Sequence, residues 1–192
     1  RVNSLYFMAN LAYQEMLFLD ITGRNDWSST LPRKNRSFFY PSVGLSAVLN
    51  SMMKMPKWMN LLKVRASWAQ VGNDTQPYKT SPYYTTSDFS GSLVKPGTLY
   101  NADFKPEMST NWEGGLDFKA FGSRLGLDVT YYYNRTKNQI LNAPFDPTTG
   151  YTKGTINSGC VSNRGVEIVL RGTPVKTKDW QWDMTATWST NK

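Results

Sequence analysis

"RLGLDVTYYYNRTKNQ" (residues 124–139) alternates strictly from Leu125 to Asn134. Leu125, Leu127, Val129, Tyr131 and Tyr133 hold one parity; Gly126, Asp128, Thr130, Tyr132 and Asn134 hold the other. Side chains of an extended chain point alternately to opposite faces, so this is a strand with one apolar and one polar face. A bare carboxylate, Asp128, sits in the middle of the polar one.

The same period recurs along the chain. It predicts eight strands: Leu5–Tyr13, Leu17–Arg24, Tyr40–Leu49, Leu62–Val71, Asn111–Ala120, Leu125–Asn134, Gly165–Gly172 and Trp180–Ser189. Several are longer than the ~5–6 residues usual for soluble strands. No helix of ordinary length is predicted. "NSMMKMPKWMN" (residues 50–60) has room for one turn, which Pro56 limits.

The connections are unequal. Gln14–Met16, Phe121–Arg124 and Thr173–Asp179 are short, and Asn50–Leu61 is moderate. Asn25–Phe39, Gly72–Thr110 and Arg135–Arg164 are long. An antiparallel up-and-down meander therefore gathers tight turns at one end and large loops at the other. Loops beyond ~12–15 residues are uncommon unless they are functional.

Charge follows the alternation. Asp20, Arg24, Lys63, Arg65, Glu113, Asp117, Lys119, Asp128, Glu167, Arg171 and Asp183 all take the parity opposite to the apolar residues of their strands. Two architectures produce such a pattern. In a β-sandwich the apolar faces form a shared core and the charged faces meet water. In a transmembrane barrel the apolar face meets lipid and the polar face lines the lumen, where a wrong-face cation costs roughly 2–4 kcal/mol. Strand length and loop asymmetry favour the barrel. So do aromatics at both strand ends: Trp27, Phe38, Phe39 and Tyr40 at one, and Tyr13, Trp58, Phe121, Trp180 and Trp182 at the other.

Composition narrows the function. The chain has 192 residues and a formal charge of +8, from 22 Lys and Arg against 14 Asp and Glu. Its mean hydropathy is -0.50. No apolar run approaches the ~20 residues of a spanning helix. The cations are scattered, with one cluster at "PRKNR" (residues 32–36), so nucleic acid is not an expected partner. Zero histidines and a single cysteine, Cys160, remove the usual general base and zinc ligands. No catalytic residue, cofactor or metal site is expected.

Several stretches resemble barrel segments of the SusC/RagA family of TonB-dependent outer-membrane transporters. They are "LDITGRNDWSSTLP" (residues 19–32), "FYPSVGLSAVL" (39–49), "LKVRASWAQVGNDTQPY" (62–78), "FKPEMSTNWEGGLDFKAFGSRLGLDVTYYYNRTKNQIL" (104–141) and "INSGCVSNRGVEIVLRGTPVK" (156–176). The resemblance implies a 22-stranded barrel with a plug, in the outer membrane of a Gram-negative bacterium. It also implies a SusD-like lipoprotein over the mouth, TonB acting through the plug, and oligosaccharide or peptide substrates. Residues 1–192 would then be a middle portion of the barrel wall, contacting outer-membrane lipid, without the plug or the terminal strand. The matched motifs are wall and loop signatures, so they carry over no transport residue.

On this reading the eleven charged residues above face the lumen. Trp27, Tyr83, Tyr84 and Tyr100 are the candidates for contact with substrate, since exposed rings suit the apolar faces of sugars. "PRKNR" is either a solvated loop or a site for anionic groups. The carboxylates do not suggest a glycosidase: Glu113 and Asp117 lie about 13 Å apart along a strand, beyond the roughly 5–9.5 Å that such pairs use. The chain is not expected to be an enzyme. Nutrient import is the leading reading, and a surface or soluble carbohydrate-binding β-sandwich is the alternative. If Phe121–Arg124 is a turn, Asp117 faces Asp128 across the hairpin, and Lys119 is expected to bridge them.

Overall fold

Each long strand bonds to the long strand before it in the chain. The computed structural model describes residues 1–192. Its elements are β1 (Val2–Tyr13), β2 (Leu17–Ser28), β3 (Ser37–Val48), α1 (Leu49–Met52), β4 (Met59–Asn73), β5 (Thr85–Thr86), β6 (Leu93–Val94), β7 (Thr98–Leu99), β8 (Glu107–Ala120), β9 (Leu125–Lys137), β10 (Ile140–Pro144), β11 (Lys153–Asn157), β12 (Cys160–Lys176) and β13 (Gln181–Asn191). The long strands form one eight-stranded sheet in the order β1-β2-β3-β4-β8-β9-β12-β13, antiparallel throughout. No second large sheet faces it, so the chain is not a sandwich.

All eight expected strands are present, and most run further toward the long loops. β2 continues to Ser28 and β9 to Lys137. The moderate link holds the single helical turn α1. The expected Thr173–Asp179 turn is shorter, because a bulge between Gly172 and Val175 lets β12 pair with β13 as far as Lys176 opposite Gln181. The turn Phe121–Arg124 has Phe121, Gly122 and Ser123 at φ 55°, 65° and 65°. Three consecutive left-handed residues reverse the chain abruptly. Only Gly122 takes that conformation without a Cβ penalty.

The long loops carry small structure of their own. β10 pairs with β11, and β11 lies parallel to β7, joining the loop after β9 to the loop after β4. The sheet itself has little core: only 12 of the 192 residues are buried. Leu5, Leu11, Leu45 and Trp112 are all more than half exposed although they lie on one face. An apolar face this open requires an apolar solvent. No helix is long and apolar enough to cross a membrane. Strands of 11 to 17 residues are long enough for a crossing that needs ~9–11.

The expected aromatic belt needs a correction at the long-loop end. Trp27 and Phe39 share the apolar face, but Phe38 and Tyr40 take the opposite parity, opposite Asp26 and Arg24. Phe38 is 8% exposed, because it packs under the loops. At the other end Tyr13, Trp58, Phe121, Trp180 and Trp182 are exposed, and Trp58 stacks on Phe121 at 5.6 Å.

Candidate functional site

The register places all eleven predicted charged residues on one face. Arg24 lies opposite Tyr6 and Tyr40, and Asp20 opposite Asn10 and Gly44. Lys63, Asp117, Asp128 and Val169 form one row across four strands; Arg65, Gly115, Thr130 and Glu167 form the next. Glu113 lies opposite Ser67, Lys119 opposite Gly126, and Arg171 opposite Gly126 and Thr185. Asp183 is tied to β12 by the Thr173 hydroxyl, which donates at 2.6 Å.

Hydrogen bonds fill this face. Near the loops the Tyr40 hydroxyl donates to Asp26 at 2.6 Å, and Arg24 donates to Asp26 at 2.8 Å and to Ser4 at 3.0 Å. Farther along, Thr22 and Ser42 share a bond of 2.6 Å. Asn10 donates to Asp20. Apart from Arg24 and Asp26, which share β2, the bonded groups stand one strand apart, where cross-strand side chains meet most readily.

Asp117 and Asp128 are directly opposite, as the hairpin register predicted. Lys119 does not bridge them. The four ion pairs are Arg24–Asp26, Lys34–Asp103, Arg65–Glu113 and Arg65–Asp128. Arg65 instead pairs with one of the two, Asp128: Nη2 lies 3.0 Å from Asp128 Oδ1 and 2.5 Å from Thr130 Oγ1, and Nη1 lies 3.3 Å from Oδ2. A planar guanidinium binds a carboxylate with two donors at once. The Lys119 ammonium, compact and strongly hydrated, stays exposed.

At the loop end Leu31, Phe38 and Phe104 form an apolar knot, with Tyr40 and Ile140 packed against it. Phe104 is fully buried. Polar ties surround the knot. Asn35 donates to the Phe104 carbonyl at 2.8 Å, and Lys34 pairs with Asp103. Asn157 donates to the Lys105 and Asn138 carbonyls, each at 2.9 Å, and accepts from Lys105 N. The Ser28 and Thr30 hydroxyls both donate to Asp74. Two of the five residues of "PRKNR", Lys34 and Asn35, are thus struts between loops, while Arg33 and Arg36 stay exposed. Asp74 is a further strut.

The candidate aromatics do not form one group. Tyr83 and Tyr100 stand with ring centroids 5.9 Å apart. Partial burial, reinforced by the Tyr83 phenol, holds the Tyr100 hydroxyl above its ordinary pKa. Tyr83 and Tyr78 line an open cleft of about 850 Å³ with Arg1, Thr30, Thr80 and Ser81. Tyr84 is exposed and does not line that cleft. Trp27 is a strand residue on the apolar parity and borders a separate cleft of about 310 Å³. Sequence reading missed Tyr78, whose positive φ of 62° turns the loop at the cleft. No cluster of His, Cys, Asp or Glu comes together to hold a metal ion.

A family model described as "TonB dependent receptor-like, beta-barrel" matches residues 1–192. A TonB-dependent receptor of Formosa agariphila is 26% identical over 200 residues, covering 100% of this chain and 20% of the relative. The TonB-dependent receptor SusC of Bacteroides thetaiotaomicron is 25% identical over 204 residues, covering 98% of this chain and 20% of its own. Among solved structures, the RagAB peptide transporter matches with a TM-score of 0.91 at 26% identity, over 99% of this chain and 22% of that one. The siderophore receptor PirA from Pseudomonas aeruginosa, with a TM-score of 0.67 and 20% identity over 99% of this chain and 34% of its own, shares the fold. The chain spans about one-fifth of the length of the curated relatives it matches.

Proposed function

Because this chain belongs to the TonB dependent receptor-like β-barrel family, we propose that it is part of the wall of an energised importer for nutrients too large for open porins. It is an outer-membrane β-barrel protein of the SusC and RagA kind. The proposed cargo is a glycan or a peptide. A SusD-like lipoprotein works at the mouth, and TonB acts through a plug elsewhere in the protein. We assign the face bearing Asp20, Arg24, Lys63, Arg65, Glu113, Asp117, Lys119, Asp128, Glu167, Arg171 and Asp183 to the lumen.

One observation carries the reading: a single meander with two chemically opposed faces, its short turns gathered at one end and its loops tied together at the other. A wall between lipid and an aqueous, plug-filled interior requires both faces, and a cargo-selecting mouth requires large loops. The cleft beside Tyr78 and Tyr83 supplies rings and hydroxyls, a lining that suits either cargo. We propose Tyr83 and Tyr100 as contacts on the substrate side. Trp27 and Tyr84 are weaker candidates, because neither lines that cleft nor pairs with a ring that does, as Tyr100 pairs with Tyr83.

The test is growth of cells lacking the full-length gene on single glycans or on peptides as the sole nutrient. Loss of growth on one class, reproduced by disabling TonB, supports the reading and names the cargo. Unchanged growth and uptake on every class in the deleted strain contradicts it. Tagged transporter purified from cells is expected to bring down a lipoprotein encoded nearby.

A further inference from the structure

Along the spanning part of the sheet the apolar face carries no charge, yet charge reappears on it at the long-loop end. Register fixes the positions. On β9 the outward series Leu125, Leu127, Val129, Tyr131 and Tyr133 continues into Arg135 and Lys137. On β12 the series Leu170, Ile168 and Val166 continues into Arg164, opposite Tyr133. Arg164 N donates to the Lys192 carbonyl at 2.9 Å and Lys192 N returns a bond of 2.8 Å, so Lys192, just past β13, stands beside it.

These four residues are all cationic and all exposed. None takes part in any of the chain's four ion pairs. Like charges directly opposite in a sheet, such as Arg164 and Lys192, are destabilising, and the diagonal from Arg164 to Arg135 is only about 7–8 Å. Such a grouping calls for an anion. Trp112 and its partner Tyr133 stand level with Arg164 and one step below Arg135, with Tyr131, Val129 and Ile168 farther down. Aromatic rings mark the headgroup boundary of a bilayer, so Arg164 stands at that boundary and Arg135 and Lys137 just above it, continuous with the lipid-facing surface.

We propose that Arg135, Lys137 and Arg164 form a binding site for the phosphate groups of an anionic lipid in the outer leaflet. The occupant's acyl chains lie along the apolar face and its phosphates meet the cations. Charge complementarity and continuity with the lipid surface select a lipid over a soluble anion. The inference rests on the outer-membrane reading above, in which the long loops point outward.

The test uses the full-length transporter in phosphatidylcholine nanodiscs doped with bis-phosphorylated lipid A, compared with the same lipid after phosphate removal. Binding is followed by native mass spectrometry. Wild type is expected to retain the phosphorylated lipid, and the triple variant Arg135→Gln, Lys137→Gln, Arg164→Gln to bind it about a hundredfold more weakly. Millimolar inorganic phosphate should not displace it. Equal retention by wild type and variant, equal retention of the dephosphorylated lipid, or displacement by free phosphate overturns the proposal. If the triple variant does not assemble, Arg135→Gln and Arg164→Gln are measured singly, with Arg164→Lys expected to retain most of the binding. Failure of the outer-membrane reading shows separately, as a protein absent from the outer-membrane fraction.

Discussion

Arg65 on β4 reaches over an intervening strand to Asp128 on β9, with Nη2 3.0 Å from Oδ1. The path is open because the residue opposite Arg65 on β8 is Gly115. A Cβ at Gly115 would stand 2.6 Å from the Arg65 Cζ, inside contact distance. A missing side chain on one strand thus lets a charge on the second pair with a charge on the third.

Gly115→Ala should therefore lift Arg65 off its partner, whereas Gly114→Ala enters open space on the other face. Unfolding of the full-length protein in detergent should show a loss of about 1 kcal/mol for the first substitution and none for the second. Equal effects would show that the opening at Gly115 is not what positions Arg65.

The same geometry separates two cations. Arg65→Met leaves Asp117 and Asp128 facing each other with less compensation, while Lys119→Met removes a charge that pairs with neither. Lys119→Met should stay within about 0.5 kcal/mol of wild type, and Arg65→Met should lie clearly outside that range. A reversed order would restore the bridge by Lys119.

Much of this was legible in the sequence, because alternation survives wherever one face excludes charge. The expected β9 ended at Asn134, and the expected β12 began at Gly165. Both limits fall where Arg135 and Arg164 break the pattern, although the strands continue. The facing pair Asp117 and Asp128 followed from the turn alone. The Arg65 contact did not, since it depends on a gap one strand away. The knot of Leu31, Phe38 and Phe104 was equally hidden, because it joins loops far apart in sequence.

Opposite faces at one level should respond oppositely to one substitution. Val129 lies between Leu116 and Ile168 on the apolar face, and Val169 lies opposite Asp128 on the polar one. Val129→Arg should cost roughly 2–4 kcal/mol at the bilayer midplane and reduce the folded, heat-modifiable band in outer-membrane fractions. Val169→Arg gains a carboxylate neighbour and should assemble normally.

Asp146 caps the 3-10 turn Pro147–Thr149, accepting from Thr148 N at 2.9 Å and from the Thr148 hydroxyl at 2.7 Å. The Thr148 amide and hydroxyl hold its carboxyl below the usual carboxylate range. A lowered pKa adds stability above the unfolded value of about 3.9 and loses it as pH falls through the folded value. Hydrogen exchange at the Thr148 amide should thus keep its protection relative to an uncapped amide from neutral pH down to about 4 and lose it below. Loss near pH 6 would point to a different group.

The most direct measurement is a cysteine scan of β9 in whole cells, from residue 125 to residue 134, in a Cys160→Ser background. Each position receives a nitroxide, and its collisions with oxygen and with a water-soluble nickel chelate are compared. Residues 125, 127, 129, 131 and 133 should be reached by oxygen and shielded from nickel. Residues 126, 128, 130, 132 and 134 should show the reverse. Both series accessible to nickel, with no two-residue period, would contradict a membrane-spanning wall.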